Sequence, residues 1–183
     1  MILISITGAS GIIIAVKLLE ILKDKGINTE IIISKAAEMV IKAETEYKIS
    51  DLYQLSTKYY DVDDLAAPPA SGSHKIDAMI IVPCTMKTLA AIANGYADNL
   101  ITRAADVIIK EKRKLILVVR ESPISAIHLE NMLKLARLGV IIAPPVPSYY
   151  IKPESVDQLV NYTVGRILDQ IGIDIGIKRW GEV

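Results

Sequence analysis

Arg120 and Glu121 stand side by side directly after the apolar run Leu115–Val119. A guanidinium fixed there can hold a phosphate, and the carboxylate beside it can exchange protons. Two more stretches offer anion chemistry. In Thr7-Gly-Ala-Ser-Gly11 the glycines Gly8 and Gly11 allow close backbone approach, the amides of the helix that follows point at an anion, and the Ser10 hydroxyl can donate to it. An ordinary tight turn explains the same residues. The turn lacks the third glycine of a dinucleotide fingerprint and the Gly-Lys-Ser/Thr of a P-loop, and Ile12 stands where a nucleophile elbow needs glycine. Pro83-Cys-Thr-Met-Lys-Thr88 sets the Thr85 and Thr88 hydroxyls and the Lys87 ammonium at a helix start, which suits a phosphate or a flavin edge. N-capping by Thr85 and a solvated Lys87 account for it equally. Glu44, Tyr149-Tyr150 and Arg166 could add a second carboxylate, a phenol and another phosphate clamp, although packing or a surface position fits each alone. Arg103, Asp106 and Lys110 share one helix face at i, i+3 and i+7 and read, on spacing, as a surface ion-pair row.

The elements that must carry these groups follow from hydrophobic periodicity. Buried-strand patterns occupy 2–7, Glu30–Ile33, Ala78–Val82 (broken by Pro83), Leu115–Val119 and Val140–Ala143. Helical patterns run from Ile12 to Lys25-Gly26, from the Ser34 cap to about Glu44, from Thr85 to about Ala93, over 100–112, from Ser122-Pro123 to about Leu138, and over Val156–Ile171 behind a Ser155-x-x-Gln158 capping box. Residues 47–77 read as less regular, with Ala67–Ser73 a loop. Apolar strands alternating with amphipathic helices predict an α/β fold: a doubly wound, mainly parallel sheet with helices on both faces, in a single domain over 1–183. In that architecture ligands sit at the carboxyl ends of the strands, which selects Thr7–Gly11, Ser34, Pro83–Thr88, Arg120–Pro123 and Pro144–Tyr150.

Composition narrows the function classes. The 183 residues are 51% hydrophobic and carry 21 basic against 21 acidic side chains, so no net field favours sequence-independent nucleic-acid binding. The lone cysteine, Cys84, makes no internal disulfide and fits a reducing compartment; two histidines make a multi-histidine metal site improbable. The N-terminus reads as a strand, not a leader, and Lys17 and Glu20 interrupt the longest apolar stretch well short of the roughly 18 residues that span a bilayer. A cytoplasmic protein without membrane or nucleic-acid partners is expected. The apolar Ile12–Leu22 helix suggests subunit contacts.

Taken in order, Thr7–Gly11, Ile33-Ser-Lys-Ala-Ala37, Ala67-Pro-Pro-Ala-Ser-Gly-Ser73, Pro83-Cys-Thr-x-x-Thr-Leu89, Arg103-Ala-Ala-Asp-Val107, Arg120-Glu-Ser-Pro123 and His128-Leu-Glu-Asn-Met-Leu-Lys-Leu135 resemble the flavin prenyltransferases of the UbiX family, with the likeness running from about residue 3 to the Arg179-Trp180-Gly181-Glu182 tail. The resemblance implies transfer of a dimethylallyl group from dimethylallyl phosphate to N5 and C6 of reduced FMN, without a metal, to make prenylated FMN for UbiD-type decarboxylases. It implies FMN binding by Gly8, Ala9, Ser10, Ser34, Thr85, Met86, Lys87, Thr88 and Arg120, with Arg103 lining the site. Tyr150 and Arg166 match positions that hold the dimethylallyl phosphate, with Lys110 beside them, and Glu44 and Glu121 match active-site carboxylates that act with Ser10 and Lys110. Trp180 and the tail of about 172–183 would close the site. The implied assembly is a homododecamer built from trimers with sites at interfaces, and Lys87, Arg103, Lys110, Arg120 and Arg166 are expected to make a local cationic cluster. Two departures stand out: Ile12-Ile13-Ile14-Ala15 where the family often has Ala-x-Tyr-Gly, and Leu65 where some members carry tryptophan. The rival readings are an FMN-dependent cysteine decarboxylase of the phosphopantothenoylcysteine type and a non-catalytic FMN-binding protein.

Overall fold

A computed structural model describes residues 1–181. Five of the strands are β1 (Ile2–Ile6), β2 (Thr29–Ile33), β4 (Ala78–Cys84), β5 (Lys114–Val119) and the short β6 (Ile141–Ile142), and β3 (Lys58–Tyr60) forms the far edge. All pair in parallel in the order β3-β2-β1-β4-β5-β6. The helices are α1 (Ile12–Asp24), α2 (Lys35–Glu44), α3 (Ile49–Gln54), α4 (Met86–Ala93), α5 (Leu100–Lys110), α6 (Ala126–Arg137) and α7 (Val156–Asp169).

Because successive strand side chains point to opposite faces, each strand feeds two cores. Ile4, Ile31, Ile80, Ile116 and Val118 pack with α1 and α7 on one side. Leu3, Ile32, Met79, Ile81 and Leu117 pack with α4 and α5 on the other. The chain leaves β1 toward β2 and β3, then returns to build β4, β5 and β6 on the opposite flank, so the strand order reverses between β1 and β4. A crevice opens at such a reversal, outside the carboxyl ends of the strands. Gly11 makes the tight exit from β1 possible, since its φ of 106° is left-handed and costs a side chain strain.

Several expected boundaries move. β4 continues through Pro83 to Cys84, with its register to β5 shifting between Ile81 and Cys84. α5 stops at Lys110 rather than 112. α6 begins at Ala126, not behind Ser122-Pro123, because the Ser125 hydroxyl accepts from the His128 amide and caps it. β6 shrinks to two residues since the Val140 N–H donates to Leu135 O at the end of α6. At α7, Ser155 Oγ accepts from the Gln158 amide, but Gln158 Oε1 accepts from the Glu154 N–H instead of closing the box on Ser155. The segment read as irregular holds α3 and β3. The Ile12–Leu22 helix is a core element: Ile12, Ile14, Ala15, Val16, Leu18, Leu19 and Leu22 are buried, leaving Ile13 as its exposed apolar residue. Exposed apolar side chains gather on α6 instead, at Ile127, Leu129 and Leu133, with Leu138 just beyond.

Candidate functional site

At the β1/β4 reversal, Thr7 joins the two strands. Its hydroxyl donates to Pro83 O at 2.8 Å and accepts from the Thr85 N–H at 2.9 Å, while its own N–H donates to Pro83 O at 3.2 Å. Thr85 Oγ1 then accepts from the Thr88 N–H at 3.2 Å and donates to Thr88 Oγ1 at 3.0 Å, so the capping role foreseen for Thr85 is present. The first amides of α4, at Met86 and Lys87, have no intrahelical carbonyl to reach. Ser34 caps α2 by accepting from the Ala37 N–H at 3.2 Å. Between these two helix starts lies a cavity of about 500 Å³ lined by Gly8, Ser34, Ala36, Thr85, Lys87 and Thr88, with Thr7, Val62, Asp98, Asn99 and Ile101 among its other walls. Gly8 is required here: a Cβ at this position would lie 2.5 Å from Ala36 Cβ.

The α1 start does not offer its amides to a phosphate as the turn residues suggest. Glu44 Oε2 accepts from the Gly11 N–H at 2.9 Å and the Ile12 N–H at 3.1 Å. Burial pushes the Glu44 carboxyl up, but the Ser10 hydroxyl, those two amides and the charge of Arg120 outweigh it and hold the group below its ordinary value. Ser10, Glu44 and Arg120 therefore form one group at this edge. Glu121 is exposed and accepts from the Ser122 N–H at 3.0 Å. Cys84 is fully buried, and burial pushes its thiol up to about 12, which leaves it unreactive.

The remaining predicted residues lie elsewhere in the chain. On α5, Arg103 donates through Nε to Ala70 O and through Nη1 to Asp106, while Lys110 pairs with Glu111 at 3.0 Å rather than with Asp106. Tyr150, Arg166 and Trp180 do come together, in a second cavity of about 220 Å³ shared with Tyr162, Ile177, Lys178 and Arg179. The Tyr150 and Tyr162 hydroxyls are hydrogen-bonded, and the Tyr150 ring meets Trp180 edge-on at 5.1 Å. The tail expected to close the site is described through Gly181; Glu182 and Val183 lie outside the described residues. The expected cationic cluster does not form within one chain. Lys87 lies 3.7 Å from Asp98, Arg103 pairs with Asp106, Lys110 with Glu111 and Arg166 with Asp169.

Sequence reasoning overlooked Thr7 as the bridge between turns, although a threonine at the end of a buried strand signals it, and overlooked Asp98, Tyr162, Asp169 and Arg179. Arg166 and Asp169 stand at i, i+3, a spacing that could have exposed their pairing. Among the described residues, no group of three or more histidine, cysteine or acidic side chains could hold a metal, and no helix is long and apolar enough to cross a membrane.

The flavoprotein family model matches residues 1–168. The flavin prenyltransferase UbiX of Methanocaldococcus jannaschii is 52% identical over 183 residues, covering 100% of this chain and 99% of its own. A crystal structure of AnUbiX in complex with FMN and dimethylallyl pyrophosphate superposes with a TM-score of 0.96 at 47% identity, over 98% of this chain and 96% of that one. A dodecameric FMN-dependent UbiX-like decarboxylase from Escherichia coli superposes equally well, at 0.96, with 46% identity over 98% of both chains.

Proposed function

The chain belongs to the UbiX family of flavin prenyltransferases, and from that premise we propose how its residues divide the work of moving a dimethylallyl group from dimethylallyl phosphate to reduced FMN. The observation that carries the reading is the cavity of about 500 Å³ at the β1/β4 reversal, within the range of small-molecule sites. Its donors suit a flavin phosphate: the hydroxyls of Ser34 and Thr88, the latter oriented by the Thr85 hydroxyl, the Lys87 ammonium, and the open amides at the starts of α2 and α4. Gly8 supplies the close backbone wall, and Ala9, Ser10, Met86, Arg120 and Arg103 are assigned to the flavin from outside that lining. FMN, when bound, supplies the nucleophilic ring that accepts the dimethylallyl group.

A phosphate monoester leaves poorly, so charge developing on its oxygens must be met by fixed donors. Arg166, Tyr150 and Lys110 take that role, and Trp180 covers the group. Glu121 exchanges a proton with the departing phosphate. Glu44, kept ionised by Ser10 and the α1 amides, opposes cationic character on the prenyl carbon. Within one chain Lys110 sits beside Glu111, and Tyr150, Arg166 and Trp180 line a cavity that shares no residue with the flavin cavity among the described residues. A dodecamer like that of the Escherichia coli relative would bring them to a neighbour's flavin edge, and the exposed apolar residues of α6 supply surface for such contacts. A UbiD-type decarboxylase as recipient and a cytoplasmic location complete the reading; the single buried thiol supports the latter.

Anaerobic incubation with reduced FMN and either dimethylallyl monophosphate or pyrophosphate, read by mass spectrometry, tests the function. The expected product is FMN heavier by one dimethylallyl group; recovery of unmodified FMN with both donors would overturn it.

A further inference from the structure

Asp169 closes α7, and its carboxylate is 16% exposed. Two guanidinium groups share it. Arg166 Nη1 donates to Oδ2 at 2.8 Å, and Arg179 donates twice, from Nη1 to Oδ2 and from Nη2 to Oδ1, both at 3.0 Å. Arg179 also reaches Asp174 Oδ1 at 3.2 Å, and that oxygen accepts from the Gly176 N–H at 2.9 Å, folding the tail back on itself. The tail is further seated by packing. Ile177 is buried with Ile151 and Tyr162, and it lies so close to α7 that a Cβ at Gly165 would fall 2.3 Å from Ile177 Cγ2. A glycine in a helix interior is less favourable than alanine, so Gly165 trades helix stability for close approach of the tail.

We propose that Asp169 is a positioning residue: it docks the C-terminal tail on α7 through Arg179, thereby setting Trp180 against Tyr150, and it orients Arg166 for the donor phosphate. The proposal rests on the reading that Arg166 and Tyr150 hold that phosphate. Trp180 follows Arg179 in the chain, so fixing the guanidinium limits where the indole can go. Its ring then meets Tyr150 at 5.1 Å, and Tyr150 is held from the other side by the Tyr162 hydroxyl and an edge-on ring contact at 5.9 Å. Arg166 approaches Asp169 with one terminal nitrogen, which leaves the rest of its fork for an anion. The Arg179 guanidinium holds the Asp169 carboxyl below its ordinary range, so the tether is charged at neutral pH. Removing that charge would leave two guanidinium groups facing each other without their shared counter-ion.

Trp180 is the only tryptophan in the chain, so its emission reports the tail directly. Because the indole is 80% exposed, its mobility is the readout. In the purified oligomer carrying Asp169→Asn, the anisotropy of Trp180 emission is expected to fall by about a third or more. KM for dimethylallyl phosphate should increase about tenfold, the scale of a lost hydrogen bond to a charged group, while FMN affinity changes less than about twofold. Asp169→Glu should recover part of both losses. Gly165→Ala provides an independent arm, because alanine favours the helix yet displaces Ile177 with Asp169 intact; it should lower anisotropy and raise KM together. Unchanged anisotropy in both variants would overturn the proposal, as would FMN affinity falling as KM rises. The anisotropy arm needs no turnover, so failure of the donor reading shows separately, as donor left unconsumed by the unaltered protein.

Discussion

The β1/β4 edge proposed for flavin and the α7–tail cluster proposed for the donor are built from different materials. The edge is made of backbone amides and short hydroxyls locked to strands, with Thr7 only 3% exposed and bonded across β1 and β4. The tail cluster is made of long side chains, Arg166, Arg179 and Trp180, tied by ion pairs and ring edges, and Trp180 itself is 80% exposed. Short groups on strands lose little freedom when a ligand arrives, so the edge is preorganised. Long side chains must be held by charge and by the packing of the tail, so the cluster is organised only while those ties last. On the proposed function, flavin affinity rests on the first region and handling of the donor on the second.

Five substitutions test that division. The largest effect belongs to Glu121→Gln, which should lower anaerobic turnover about 100-fold or more, the usual reach of a proton-transferring group, while titrations of FMN and of dimethylallyl phosphate stay near their original values. Unchanged turnover would remove Glu121 from the chemistry. Arg166→Ala should next raise KM for dimethylallyl phosphate by about 10- to 100-fold and leave FMN affinity intact; steady-state kinetics beside a flavin fluorescence titration separates the two. Thr7→Val inverts the pattern. It strands the Thr85 N–H, while Pro83 O keeps the Thr7 N–H, costs about 1–3 kcal/mol in denaturant unfolding, and weakens FMN binding about tenfold with Trp180 anisotropy unmoved. Coupled loss at both regions would show that they are not independent.

The smallest effect concerns acid. Glu44 is depressed in the folded chain from an ordinary 4.5, so its contribution to stability is present above 4.5 and is lost as pH falls through the lower folded value. Thermal melts at falling pH should drop less steeply in Glu44→Gln than in the unaltered protein. Asp169, depressed from 3.8, follows the same sign with its loss beginning below 3.8, and the Asp169→Asn melt should flatten there. Identical slopes in the variants would take the two carboxylates out of the acid response.

The edge was legible because position and chemistry coincide there. Gly8, Ser34 and Thr85 each follow a readable strand, and Ser34 and Thr85 also cap helices, so one rule finds the crevice and a second fixes its walls. Glu44 was readable as a carboxylate near a helix end, but its seat on the Gly11 and Ile12 amides depends on α2 ending where α1 begins, 32 to 33 residues apart in sequence. In the tail cluster Tyr150 and Arg166 were readable as a phenol and a phosphate clamp, but their meeting with Trp180 was visible only through family resemblance. Periodicity marks Val160, Val164 and Ile167 as an apolar stripe, but it says nothing of where a loop-rich tail returns to meet them. α6 was misplaced because Ser122-Pro123 and Ser125 both look like helix starts, and only the fold shows which hydroxyl meets an amide. The α3–β3 segment escaped notice because its elements are six and three residues long, too short to show a period.

The proposed catalytic site needs regions that lie apart within a single chain. Lys110→Ala and Glu121→Gln subunits, each expected to be inactive alone, can be co-expressed and purified as mixed oligomers. A flavin edge with intact Glu121 would then meet an intact Lys110 from its neighbour, so the account predicts that a substantial fraction of prenyl transfer returns. Mixed oligomers as inactive as either parent would contradict it and place the whole site in one chain.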